Sequence, residues 1–188
     1  MADTRGKAYR ILKKIFEDKA YSSRALDSQL RESELDSRDK AFVTNIVYGV
    51  LTNLKYLDYQ IEAYSKNGIK KISQNVLNIL RLSIYQIKFM DKVPESAAVN
   101  EGVKLAKKVA NRSAGFVNAI LRSYLREGEK LPPQDDEIKY LSVKYSFQEY
   151  MVLMWLKRFG REKCESLLSS LNAAPVMTVR VNSKKTTT

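Results

Sequence analysis

The sequence predicts an all-α protein: a helical bundle, then a short helical linker, then the first strand of a further domain. Three observations predict it. Glycine (7) and proline (4) are scarce in 188 residues, and a chain so poor in helix breakers favours helix. Apolar residues recur at spacings of three and four through most of the chain, the period of one helix face. Near the end, "PVMTVRVN" switches to alternation, with Met177, Val179 and Val181 set against Thr178, Arg180 and Asn182, a strand signature.

The elements follow in order. Residues 5–19 make an amphipathic helix with Ala8, Ile11, Leu12 and Ile15 on its apolar face and Lys7, Arg10 and Lys14 on a separate stripe. "YSSRALDSQL" starts a second helix, with Ser22 or Ser23 as N-cap and Leu26 and Leu30 facing inward. Residues 35–64 read as one long helix with a bend, capped by Asp36 or Ser37. Its apolar stripe is Phe42, Ile46, Val50, Leu54, Leu57 and Ile61, Gly49 allows close approach of another helix, and Gly68 is a C-cap. Residues 72–90 are apolar on more than one face and read as the central helix of the bundle. Val93, before Pro94, breaks the pattern.

Residues 95–110 form the next helix, with Val99, Val103, Ala106 and Ala110 as its apolar stripe and Lys104 and Lys108 opposite. After the loop "NRSAG", Ser113 caps a helix whose inner face is Phe116, Val117, Ile120, Leu121 and Tyr124, with Arg122 and Arg126 outside. The stretch 127–136, with Pro132-Pro133, reads as a boundary. Three short helices follow. The second has Ser146 and Glu149 as a capping box and Gly160 at its close. A lone strand has no partner for its backbone groups, so the reading expects a chain that continues past Thr188. The resulting division is a bundle over 1–130, a helical linker over 131–172 and the start of the next domain over 173–188.

Chemistry is narrowed by what the sequence omits. It has no histidine and one cysteine, which excludes Cys/His zinc sites and histidine-based triads. No G-x-G-x-x-G or P-loop pattern occurs. Asp135, Asp136 and Glu137 read as a helix N-terminus favoured by the dipole, and Cys164 as a small packing residue. No catalytic residue, metal site or cofactor site is expected within this stretch. The start "MADTRGKAYR" has no apolar signal-peptide core, and no apolar run reaches the ~18 residues of a membrane span. The expectation is a cytoplasmic protein without a membrane role.

The charge is the remaining signal. Basic residues number 33 against 21 acidic, a net of +12, and between Tyr64 and Arg112 ten basic side chains stand against three acidic ones. Such a balance points to a polyanionic partner. The candidate contacts are Lys7, Arg10 and Lys14 on the first helix, and Lys104, Lys107, Lys108 and Arg112 around the later turn, each able to neutralise a phosphate. Tyr9 and Tyr21 are candidate faces for an unstacked base. A DNA-reading helix-turn-helix fits poorly, since "GFVNAILRSYL" is apolar where a recognition helix presents polar side chains. A helical protein-interaction domain, its basic faces incidental, stays open on these residues.

Several segments together resemble a known family. "VPESAAVNEGVKLAKKVANRSAGFVNAILRSYL", "VLNILRLSIYQIKFM" and "DKAFVTNIVYGVLTNLKYLDYQI" resemble the characteristic stretches of NusB-like domains. The continuation "YLSVKYSFQEYMVLMWLKRFGREKCESLLSSLNAAPVMTVRVN" is similar to the linker of the Sun/RsmB small-subunit rRNA cytosine-5 methyltransferases. That resemblance implies a NusB-like RNA-binding bundle preceding a catalytic domain that uses S-adenosylmethionine. The family's cofactor loop and Pro-Cys motif would lie past Thr188. It also implies small-subunit rRNA as partner, a role for Arg5, Lys7 and Arg10 in RNA binding, and pairing into homodimers as one arrangement. A free antitermination factor of the NusB type is the alternative, and the segment 135–182 is what separates the two.

Overall fold

The computed structural model describes residues 3–173 and Asn182. Among these, nine α-helices form two packed groups and no strand occurs. The alternating segment from Met177 to Val181 lies outside the described residues.

The bundle is built around α5 (Gln74–Phe89), in which every residue from Val76 to Gln86 is buried. A helix apolar on several faces must be covered on several sides, and α1 (Thr4–Glu17), α3 (Ser37–Thr52), α4 (Leu54–Tyr64), α6 (Glu95–Val109) and α7 (Ala114–Glu127) pack round it. The second helix, α2 (Ser22–Arg31), rests on α1. Apart from Asn78 Nδ2, which has no partner among the described residues, polar groups buried on α5 find partners at home or across the core. Ser83 Oγ and Gln86 Nε2 each donate to a carbonyl one turn back at 2.8 Å. Arg81 is clamped by both oxygens of Asp58 at 2.6 and 2.9 Å, with its guanidinium 4.7 Å from the Phe16 ring centroid.

Gly49 performs the role its position predicts. A Cβ there would fall inside the Tyr85 ring, and that ring is fixed by a 2.7 Å hydrogen bond from its hydroxyl to Asn45 Oδ1. Gly49→Ala is expected to cost about 1–3 kcal/mol in chemical denaturation, the usual penalty of overpacking. An unchanged midpoint would show that α3 and α5 are free to move apart.

Three local expectations are corrected. The long helix over 35–64 is broken into α3 and α4 at Asn53, whose side-chain amide donates to the Gly49 carbonyl at 2.9 Å and closes the first helix. Gly68 does not end α4, which stops at Ser65. With φ at 77° it instead opens a 3-10 turn at Ile69–Lys71, a conformation that suits glycine. Ser146 and Glu149 form no capping box. Ser146 sits in the left-handed region at the end of α8 (Glu137–Tyr145), and its hydroxyl accepts the Tyr56 N–H at 2.9 Å. That N–H belongs to the first turn of α4 and has no partner within its own helix, so Ser146 caps a helix ninety residues earlier.

A second apolar cluster lies under α8 and α9 (Glu149–Asn172), made by Tyr140, Leu141, Val152, Cys164 and Leu168, and Leu131 packs against both clusters. α9 is two helical pieces joined at Gly160, where φ is 75°. The two clusters are tied along α4. Gln60, fully buried, donates to the Lys130 carbonyl at 2.7 Å and accepts the Lys130 N–H at 2.9 Å. Lys55 reaches both Ser142 and Glu149. The stretch after α7 is therefore held by side chains of the bundle.

Candidate nucleic-acid interface

α1 starts at Asp3, whose carboxylate accepts the Gly6 N–H at 3.1 Å. The buried face of the helix is Ala8, Tyr9, Ile11 and Leu12, with Ile15 only half-buried. The basic stripe lies on the other side. Arg10 and Lys14 are exposed and Lys7 is half-buried. Arg10 stands 3.8 Å from Asp3, an exposed pair, and such pairs hold their partners weakly.

Arg5 does not share that stripe. Its Nε donates to Gln86 Oε1 at 2.7 Å, and its guanidinium lies 5.3 Å from the Phe42 ring centroid. Burial lowers its pKa, against the opposing charge of Glu101. Its Nε is thus held on α5, which fastens the start of α1 to the core. Tyr9 is 4% exposed and its hydroxyl donates to Asn75 Oδ1 at 2.7 Å, so its ring is a core element and offers no face to a base. Tyr21 remains 76% exposed, with Arg24 alongside.

The fold brings the start of α1 beside the lysines of α6. Arg5, Lys104, Lys107 and Lys108 line one cleft of about 210 Å³ between the start of α1 and the outer side of α6, which Asp3 and Glu101 also border. Lys7 and Arg10 line a neighbouring hollow of about 350 Å³ against Ser33, Glu34 and Leu35. Lys104 is exposed and pairs with Glu101 at 2.7 Å. Lys14 lines neither hollow. Arg112, also outside them, is exposed in the 3-10 turn Asn111–Ser113 between α6 and α7. Phe116, expected inside, is 38% exposed, because the first turn of α7 borders an open cleft beside Lys71 and Ser73.

Among the described residues no group of three or more His, Cys, Asp or Glu is placed to hold a metal ion, and no helix is long and apolar enough to cross a membrane. Cys164 is buried, and that burial, with Glu137 and Glu165 nearby, pushes its thiol pKa up. A thiol held protonated is a poor nucleophile.

The arrangement is an all-α bundle with a central buried helix, a basic face on α1 and α6, and a helical extension clamped to α4. The chain belongs to the NusB family: the family profile matches residues 2–126. Its curated relatives include proteins of two kinds. "Probable ribosomal RNA small subunit methyltransferase B" of Bacillus subtilis is 34% identical over 180 residues, 95% of this chain and 40% of that protein. "Transcription antitermination protein NusB" of Clostridium tetani is 42% identical over 90 residues, 47% of this chain and 59% of that protein. The chain thus spans about two fifths of the methyltransferase relative. Among solved structures, a chain of the crystal structure of antitermination factors NusB and NusE in complex with dsRNA superposes with TM-score 0.60 at 20% identity, over 66% of this chain and 94% of that one. The crystal structure of PH0851 superposes with TM-score 0.67 at 13% identity, over 93% of this chain and 40% of that one.

Proposed function

We propose that the chain is the RNA-binding N-terminal part of an S-adenosylmethionine-dependent small-subunit rRNA cytosine-5 methyltransferase, and that it holds rRNA for a catalytic domain that follows it. The observation carrying this reading is the extent of the match. Likeness to the methyltransferase relative covers 95% of the chain, through α8 and α9, whereas likeness to the Clostridium tetani NusB covers 47%. In this reading 1–130 binds RNA, 131–172 carries the link, and 173–188 enters the catalytic part. The polyanionic partner is small-subunit rRNA, met in the cytoplasm, and the basic residues of α1 and α6 supply the electrostatic attraction. S-adenosylmethionine belongs to the catalytic part.

The test is a binding titration of the chain against small-subunit rRNA transcripts and unrelated transcripts of equal length, at several salt concentrations. A preference of at least about tenfold for rRNA is expected. Equal affinity for all would overturn the assignment. Preference for transcribed leader RNA over mature rRNA would favour the antitermination role. Incubated with labelled S-adenosylmethionine and unmodified rRNA, the chain alone is expected to transfer no methyl group.

A further inference from the structure

A groove of about 620 Å³ runs between α4, the turn Ile69–Lys71 and the α8–α9 extension. Its size is that of a small-ligand site, about 300–1,000 Å³. It is lined by both packed groups, so a NusB-like bundle without the extension would lack one wall.

The charges around it are unequal in availability. The three carboxylates are already engaged: Asp58 by Arg81 at 2.6 Å, Glu149 by Lys55 at 3.0 Å, and Glu62 by the Ile69 N–H. Lys70, Lys71 and Lys139 are exposed on its rim, and none has an ion pair or side-chain hydrogen bond among the described residues. Tyr59 lines the wall, half-buried, with no hydrogen bond from its hydroxyl to any described residue. The unanswered features of the groove are therefore three cations and one aromatic ring.

We propose that this groove holds an unpaired stretch of RNA, of one or two nucleotides, with phosphates against Lys70, Lys71 and Lys139 and a base against Tyr59. The proposal rests on the reading that the chain binds RNA, and it names a second contact on the seam, distinct from the α1–α6 face. Lysines act as point charges and suit the spread charge of a strand. An aromatic wall is useful only to a base free of its stack, so single-stranded RNA fits and a duplex does not.

The test measures binding of the whole chain to a single-stranded rRNA segment and to a duplex of equal length, across a salt series. Three variants and a control are compared. K70Q/K71Q/K139Q is expected to flatten the log K against log salt slope for single strands by about 2, at ~0.7 per lost phosphate contact. Tyr59→Leu is expected to weaken single-strand binding about tenfold with the slope unchanged, and Tyr59→Phe, which keeps the ring, to bind normally. The control, K92Q/K157Q/K163Q, removes as much charge from exposed sites away from the groove and should move the slope little. Melting curves on each variant confirm the fold.

If the groove triple variant matches the control triple, or if duplex binding falls as far as single-strand binding, the groove is not a site for unpaired RNA, although the chain's RNA-binding role stands. Wild-type protein that binds no RNA would overturn both. Polyglutamate that binds the wild type and loses that affinity in the groove triple variant, while single-strand binding is the same in both proteins, would mark the site as one for an acidic polypeptide and overturn the proposal.

Discussion

Asp58→Ala is expected to lower the unfolding free energy by about 3 kcal/mol, the low end of the range for breaking a buried ion pair. The Arg81 side chain is 8% exposed, whereas Asp58 is 30% exposed, which is why the low end applies. Removing the carboxylate leaves a guanidinium in the core with Asn78 Oδ1, at 3.2 Å, and the Phe16 face as its remaining partners. The origin of the loss can be separated by a double variant. Asp58→Ala with Arg81→Met removes both charges, and replacing a buried pair by apolar groups is often close to neutral, so the double variant should be more stable than Asp58→Ala alone. Glu101→Ala, which breaks the exposed pair with Lys104, should cost under about 1 kcal/mol. Urea denaturation of the four proteins checks the order. If Asp58→Ala costs no more than Glu101→Ala, the pair is not what holds α4 to α5.

The bundle was legible in the sequence because its signal is local. The period of the apolar residues on α1, α5, α6 and α7 decides which faces pack, and Ile11, Leu12, Ile79, Leu80, Val117 and Leu121 are buried as their spacing predicts. The errors fall where a distant segment overrides a local signal. Ser146 has the spacing of a capping box with Glu149, but Tyr56 claims its hydroxyl and Lys55 claims the glutamate. Tyr9 reads as a surface aromatic among basic residues, yet Asn75, sixty-six positions later, takes its hydroxyl into the core. Gly49, in contrast, was legible since the absence of a side chain in an apolar stripe is itself the signal.

The basic face was legible only in part, for the same reason. Composition located surplus charge, and helical period put Lys7, Arg10 and Lys14 on one side of α1. Neither told that the start of α1 meets α6, which brings Arg5 to Lys104 and Lys108. Neither told that Gln86 holds Arg5. The groove with Lys70, Lys71 and Lys139 escaped the sequence altogether, because its walls come from segments about seventy positions apart that each look like an ordinary solvated surface.

On α1 the functional and structural faces share one helix, and they are expected to separate cleanly. Replacing Lys7, Arg10 and Lys14 together with Ala should flatten the salt dependence of single-stranded rRNA binding by roughly 2, at ~0.7 per phosphate contact, with little change in melting temperature. Arg10 and Lys14 are exposed, and the single ion pair lost among the described residues, Arg10 with Asp3, is an exposed one of small worth. Lys7 is half-buried, so its share of the effect tests whether it is turned toward the hollow it lines with Arg10. Ile11→Ala is the converse. Its side chain is fully buried, so truncation should cost about 2–5 kcal/mol and leave the salt slope of the folded protein unchanged. Each variant takes a melting curve and a salt titration on the same preparation. A triple variant that keeps both affinity and slope would leave that stripe as a solvated face, and the RNA contact would then rest on Lys104, Lys108 and Arg112, which are exposed on and after α6.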